Sequence, residues 1–186
     1  KVYTLLLVLL AALFGGNVYG QVKENFETGL PTAYTATTSY TLLSGTWTGQ
    51  ANGVIRGTSG VASGTYSLQL RSQTGAQITT PNITTGVGTV SFYGSASTTS
   101  GSVQVNYSTD GGITWLPATG SPFALTTGSA VEKTATINST ASNILVQFYR
   151  TAATVYIDSI TITSYSTTTN TITTGAISGS PFCVTA

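Results

Sequence analysis

The chain has 186 residues, of which only 6% are charged: six Lys or Arg against five Asp or Glu, with no His and one Cys. That length suits one ordinary domain with short extensions. So even a charge balance leaves no basic patch for nucleic acid and no cationic helix for a membrane surface; the missing His excludes Ser–His and Cys–His catalysis, and a lone Cys excludes an internal disulfide framework.

From the start, Lys1 precedes a short apolar run, Leu5 to Phe14, and Val18-Tyr19-Gly20 offers the small or aliphatic residues at which a leader is cut. Residues 1–20 are expected to be a signal peptide, leaving Gln21 as the mature terminus. The run falls short of the roughly 20 apolar residues that span a bilayer, so no membrane contact is expected after cleavage. Val22 to Glu27 is the first expected strand, stopped by Thr28-Gly29-Leu30-Pro31. Short β-like runs follow at Tyr40–Leu43, Thr46–Thr48, Val54–Arg56, Tyr66–Arg71, Ala76–Thr80 and Thr89–Tyr93. More come at Val103–Ser108, Ile113–Leu116, Phe123–Leu125, Val131–Ile137, Ile144–Arg150 and Val155–Thr163. Tyr66/Leu68/Leu70, Val103/Val105/Tyr107 and Ile144/Val146/Phe148 each place apolar residues on one face at the strand period of two. No window after the leader has helical spacing. An all-β fold, an antiparallel two-sheet β-sandwich over residues 21–163, is the expectation. Residues 164–175, almost wholly Ser, Thr, Tyr and Asn, suit a linker.

Tyr156-Ile157-Asp158-Ser159-Ile160-Thr161-Ile162 organises the rest of the chain. An unbroken strand would put Tyr156, Asp158, Ile160 and Ile162 on one face, a carboxylate in line with apolar neighbours. Such a charge is costly without a cation, a metal or a set of hydrogen bonds. Glu27, beside Phe26, is the second acid. If the first and last strands pair, the two could share a hard cation, and calcium suits oxygen ligands. The alternative is carboxylates capped by hydroxyls and backbone amides.

Three stretches, Asn25-Phe26-Glu27-Thr28-Gly29, Ser63-Gly64-Thr65-Tyr66-Ser67-Leu68 and Tyr156-Ile157-Asp158-Ser159-Ile160, resemble in order and spacing the landmarks of jelly-roll carbohydrate-binding and MAM-like modules. That resemblance implies a structural calcium held by Glu27, Asp158 and carbonyls within Ala62 to Thr65; many relatives carry a second acid where this chain has Ser159. Ser108-Thr109-Asp110-Gly111-Gly112-Ile113-Thr114-Trp115 resembles an Asp-box hairpin, structural in the β-propellers that carry it. One copy cannot build a propeller. Residues 176–186 resemble the first strand of immunoglobulin-like repeats in large Bacteroidetes surface proteins, which implies further domains of the same polypeptide.

Among residues that suit a sugar, Trp47 lies between Gly45 and Gly49 in a polar stretch and is expected to be exposed for stacking. Asn52, Arg56, Gln69 and Arg71 are the candidate hydrogen-bonding groups. A glycosidase needs two facing carboxylates. Glu27 with Asp158 is the only pair brought together, and calcium or hydrogen bonding accounts for it; Glu24 and Glu132 are expected in solvent. The expected function is therefore non-catalytic: a secreted or cell-surface jelly-roll module that binds a polysaccharide or cell-surface glycan, or adheres. A ligand-free spacer, or the accessory domain of a secreted hydrolase, are the competing readings.

Overall fold

The computed structural model describes residues 22–165, and every regular element among them is a β-strand. The expected leader, the Ser/Thr-rich linker beyond Tyr165 and the tail with Cys183 lie outside the described residues. In chain order the strands are β1 (Val22–Glu24), β2 (Ser39–Leu42), β3 (Gly45–Gly49), β4 (Val54–Gly57), β5 (Ser67–Leu70), β6 (Gln77–Thr79) and β7 (Val87–Ala96). They continue as β8 (Gly101–Ser108), β9 (Leu116–Pro117), β10 (Phe123–Leu125), β11 (Val131–Ser139), β12 (Leu145–Ala152) and β13 (Val155–Ser164). Each coincides with or overlaps a run expected from the sequence.

Two antiparallel sheets result. One is six-stranded, ordered β11-β7-β13-β5-β4 with β1 also on β13; the other is seven-stranded, ordered β10-β8-β12-β6-β3-β2 with β9 on β8. The period-two pattern explains which faces meet. Leu68 and Leu70 on β5, Val90 and Phe92 on β7, Val103 and Val105 on β8, and Val146 and Phe148 on β12 are all buried between the sheets. Phe92 contacts Phe148 edge-on, with ring centroids 5.3 Å apart, and Phe123 likewise at 5.5 Å, which ties the two layers together.

First and last strands pair as expected, Val22 opposite Ile162 and Glu24 opposite Ile160. β13, however, is not one unbroken alternation. Its register against β7 shifts between Asp158 and Thr161, and Ser159 takes a left-handed φ of 51°. One extra residue there flips the parity. Ile157 and Ile160 both enter the core, whereas Asp158 shares the outer face with Tyr156. The expected alignment of Asp158 with Ile160 and Ile162 is thereby corrected. The carboxylate faces away from the core, under the loop between β4 and β5.

Candidate functional site

The loop joining β4 to β5 is fastened from below by both acids singled out in the sequence. Asp158, with none of its surface exposed, accepts the Ala62 and Ser63 N–H groups on Oδ2 at 2.7 and 2.9 Å and the Ser159 N–H on Oδ1 at 2.6 Å. Half-buried Glu27 accepts Thr65 N–H and Tyr66 N–H on Oε1 at 2.9 and 3.0 Å. Gly64, between these two pairs, has φ 80°, and a Cβ there would collide with Glu27 Oε1. A glycine is therefore required both by backbone and by space. The two carboxylates thus meet the 62–66 stretch, as expected, but what that stretch turns toward them is N–H groups. Five amide donors compensate two buried or half-buried charges.

The donor set meets calcium's needs only in part. Calcium takes six to eight oxygens, and among the described residues no group of three or more Cys, Asp or Glu side chains comes together. Any further ligands at Glu27 and Asp158 would have to be carbonyls or water.

Glu24 departs from expectation. Only 3% of it is exposed: Oε1 accepts the Asn25 and Phe26 N–H groups, and Oε2 accepts the Ser44 N–H and hydroxyl at 3.0 and 2.9 Å. Ser44 Oγ in turn accepts the Trp47 indole N–H at 2.9 Å. This chain of bonds pins the N-terminal strand to the β2–β3 turn. It also corrects the expectation for Trp47, which is fully buried and packs edge-on against Phe26 at 5.9 Å. Alternation along β3 sends Trp47 inward between exposed Thr46 and Thr48. It offers no face to a sugar.

The remaining sugar candidates divide between two sides of the six-stranded sheet. Arg56 pairs in register with core residue Leu68, so it lies at the rim of the inner face. Its Nη1 donates to the Glu27 carbonyl at 2.9 Å, its guanidinium stacks 4.1 Å from the Tyr66 ring centroid, and Nε is buried without a partner. It is a brace for Glu27. Gln69 and Arg71 are on the outer side and converge on Tyr34: Gln69 Nε2 donates to the Tyr34 hydroxyl at 2.7 Å, and Arg71 sits 4.7 Å over its ring. Asn52 is an exposed turn residue with φ 57° whose N–H binds the Thr35 carbonyl.

A second arrangement occupies the outward face of the seven-stranded sheet. On β8 and β12 the apolar residues alternate with Gln104, Asn106, Gln147 and Tyr149, which the register places side by side as Asn106–Gln147 and Gln104–Tyr149; Gln77 and Thr79 of β6 continue both rows. Gln104 Nε2 donates to Asn106 Oδ1 at 2.8 Å, and Asn106 Nδ2 donates to Gln147 Oε1 at 3.0 Å. Asn106 and Gln147 lie low, 8% and 5% exposed, with Gln77, Gln104, Leu145 and Tyr149 half-exposed around them. No outward position of β2, β3, β6, β8 or β12 carries a formal charge. The chain of amides leaves the Gln147 –NH₂ at its end, a donor for a hydroxyl oxygen. The signal for this face was the same alternation that gave the core, applied to the residues between the apolar ones.

At the end of this face the 108–115 hairpin is closed by its own side chains. Ser108 Oγ donates to Asp110 Oδ1 at 2.7 Å and accepts the Gly112 N–H at 2.8 Å; Asp110 Oδ1 accepts the Thr114 N–H at 2.9 Å. Hydrogen bonds from Thr114, then Ser108, hold the Asp110 carboxyl down at about 2.

No family model matches the chain, and none of the curated proteins does. Solved structures do resemble it. The CBM22-1 xylan-binding domain from Paenibacillus barcinonensis superposes with a TM-score of 0.57 at 15% identity, covering 82% of this chain and 100% of that one. The C-terminal family 22 carbohydrate binding module of Clostridium thermocellum gives 0.55 at 12% identity, covering 82% and 98%. The K2 cleaved adhesin domain of Lys-gingipain gives 0.54 at 15%, covering 78% and 98%. What is shared at these identities is the jelly-roll sandwich fold.

Proposed function

We propose that this chain is a non-catalytic carbohydrate-binding module of an exported protein, and that it holds a neutral polysaccharide along the outward face of the seven-stranded sheet. The observation that carries the reading is the bonded row Gln104–Asn106–Gln147 with Tyr149 beside it. Planar amides fixed by one another present donors and acceptors at set positions, as sugar hydroxyls require, and the π-face of an aromatic ring suits the C–H side of a pyranose. Formal charge is absent from the face, so an uncharged ligand is favoured. The resemblance in fold to modules named as xylan-binding, carbohydrate-binding and adhesin domains supports the same reading, as does the leader-like start for export. Against a carboxylate-pair enzyme stands the use of the carboxylates: four of the five acids, Glu24, Glu27, Asp110 and Asp158, are each bonded to backbone amides.

Affinity electrophoresis through gels carrying xylan, galactan or β-glucan tests this. At least one neutral polysaccharide should retard the wild-type chain, and Gln147→Ala or Tyr149→Ala should abolish the retardation while the fold persists. No retardation in any gel would favour a ligand-free spacer.

A further inference from the structure

Beyond the Leu145 end of the sheet face lies a recess of about 390 Å³, lined by Asn82, Thr109, Asp110, Gly111, Asn143 and Leu145. Its size falls within the roughly 300–1,000 Å³ of small-molecule sites. The walls are fixed by structure already described or adjacent to it. On one side, Ile83 and Ile144 exchange backbone hydrogen bonds at 2.9 and 3.0 Å, which sets Asn82 and Asn143 next to each other. On the other, the Ser108 and Thr114 bonds fix the Asp110 carboxylate. The hairpin leans on the same apolar residue: a Cβ on Gly112 would lie 3.5 Å from the Trp115 ring and 3.6 Å from Leu145 Cδ1.

The polar inventory is complementary. Asn82 Nδ2 donates to Asn143 Oδ1 at 3.0 Å, which leaves Asn82 Oδ1 as an acceptor and the Asn143 –NH₂ as a donor. Asp110 keeps acceptor positions beyond the bonds that fix it, since a carboxylate has about four lone-pair sites. One donor, one neutral acceptor and one charged acceptor beside an apolar side chain suit two adjacent hydroxyls on a carbon ring. The two hydroxyls give their hydrogens to the two acceptors and one of them accepts from the Asn143 –NH₂, while a C–H face rests on Leu145.

We propose that this recess is a second carbohydrate site, separate from the sheet face, that takes a single neutral sugar unit through vicinal hydroxyls: Asp110 and Asn82 accept, and Asn143 donates. A uronic acid is disfavoured by repulsion from Asp110. The hairpin, otherwise a structural device, thereby supplies a binding carboxylate.

Amide chemical-shift mapping of the chain tests the assignment, with methyl xyloside, methyl galactoside, methyl mannoside and glucuronate titrated one at a time. At least one neutral glycoside should shift the amides of Asn82, Thr109, Gly111 and Asn143 with a dissociation constant in the millimolar range, and glucuronate should shift none of them. Asn143→Ala, at an exposed position, should weaken binding about tenfold, the size of one lost hydrogen bond. Gln147→Ala, which disables the sheet face, should leave these shifts in place. Two results would overturn the site: no shift with any neutral glycoside, or shifts that survive Asn143→Ala and vanish with Gln147→Ala.

Discussion

Replacing Asp158 by Ala tests how the loop between β4 and β5 is held. The carboxylate is wholly buried and accepts three N–H groups, from Ala62, Ser63 and Ser159. Hydrogen bonds to a charged group contribute about 1.5–3 kcal/mol each, and a buried donor left without a partner costs about 1–3 kcal/mol. Ala62 and Ser63 are themselves exposed, so water can reach their amides once the loop lifts, which favours about 1 kcal/mol apiece. With about 1 kcal/mol more for the Ser159 N–H, the sum is about 3 kcal/mol. For a chain of this size that corresponds to a fall of about 6–12 °C in the unfolding midpoint. Urea unfolding followed by Trp fluorescence measures it, with amide hydrogen exchange at residues 62–66 as the local readout. Exchange there should rise before global unfolding, because the β13–β7 pairs on either side of the bulge, Asp158 with Tyr93 and Thr161 with Ser91, are made by backbone and do not need the carboxylate. A loss below about 1 kcal/mol, or unchanged exchange at Ala62 and Ser63, would refute the clamp. Glu27→Gln, which keeps an acceptor at a half-buried position with only two N–H partners, should cost less than Asp158→Ala.

Trp47→Ala should destabilise by about 3–5 kcal/mol, as expected for a large aromatic removed from a core, while Trp47→Phe should restore most of that and still bind glycan as the parent does. Calorimetric melting with binding on the refolded fraction checks both. Asp110 has a folded-state pKa depressed from 3.8 to about 2, so its stabilisation of the hairpin is present above about pH 4 and lost as pH falls toward 2. Faster exchange at Thr114 over that window, absent in Asp110→Asn, is the expected result. The calcium implied by the jelly-roll resemblance is tested by melting in millimolar calcium and in chelator. If Glu27 and Asp158 hold the ion, calcium raises the wild-type midpoint and leaves Glu27→Gln where it was; equal wild-type midpoints exclude a stabilising site.

Strand positions were legible because this chain obeys the period-two rule almost throughout, from Val103/Val105 to Val146/Phe148. The pairing of first and last strands entered as a condition, and the convergence of Glu27 and Asp158 on Ala62 to Thr65 as what the jelly-roll resemblance implies; that the stretch offers N–H groups rather than carbonyls was not legible. Asp158's orientation was not legible: a single extra residue at Ser159 reverses the face, and neither composition nor periodicity announces a bulge. Trp47 misled because its neighbours Thr46 and Thr48 are polar, which on a strand means only that they point the other way. Glu24 looked like a solvated acid, yet four donors from Asn25, Phe26 and Ser44 make its burial tolerable, and partners twenty residues away leave no local mark. The amide row falls on the same alternation, but an outward polar residue on a strand carries no local sign of whether it bonds a neighbouring amide or water, so Gln104, Asn106 and Gln147 do not stand out from the other polar positions.

Chemical-shift mapping with a soluble neutral oligosaccharide, such as xylohexaose, tests the binding reading most directly. The expected pattern is a continuous track across Gln77, Gln104, Asn106, Gln147 and Tyr149, with affinity unchanged by added salt because the face has no formal charge to screen. Shifts centred on Tyr34, Gln69 and Arg71, on the outer side of the six-stranded sheet, would contradict it.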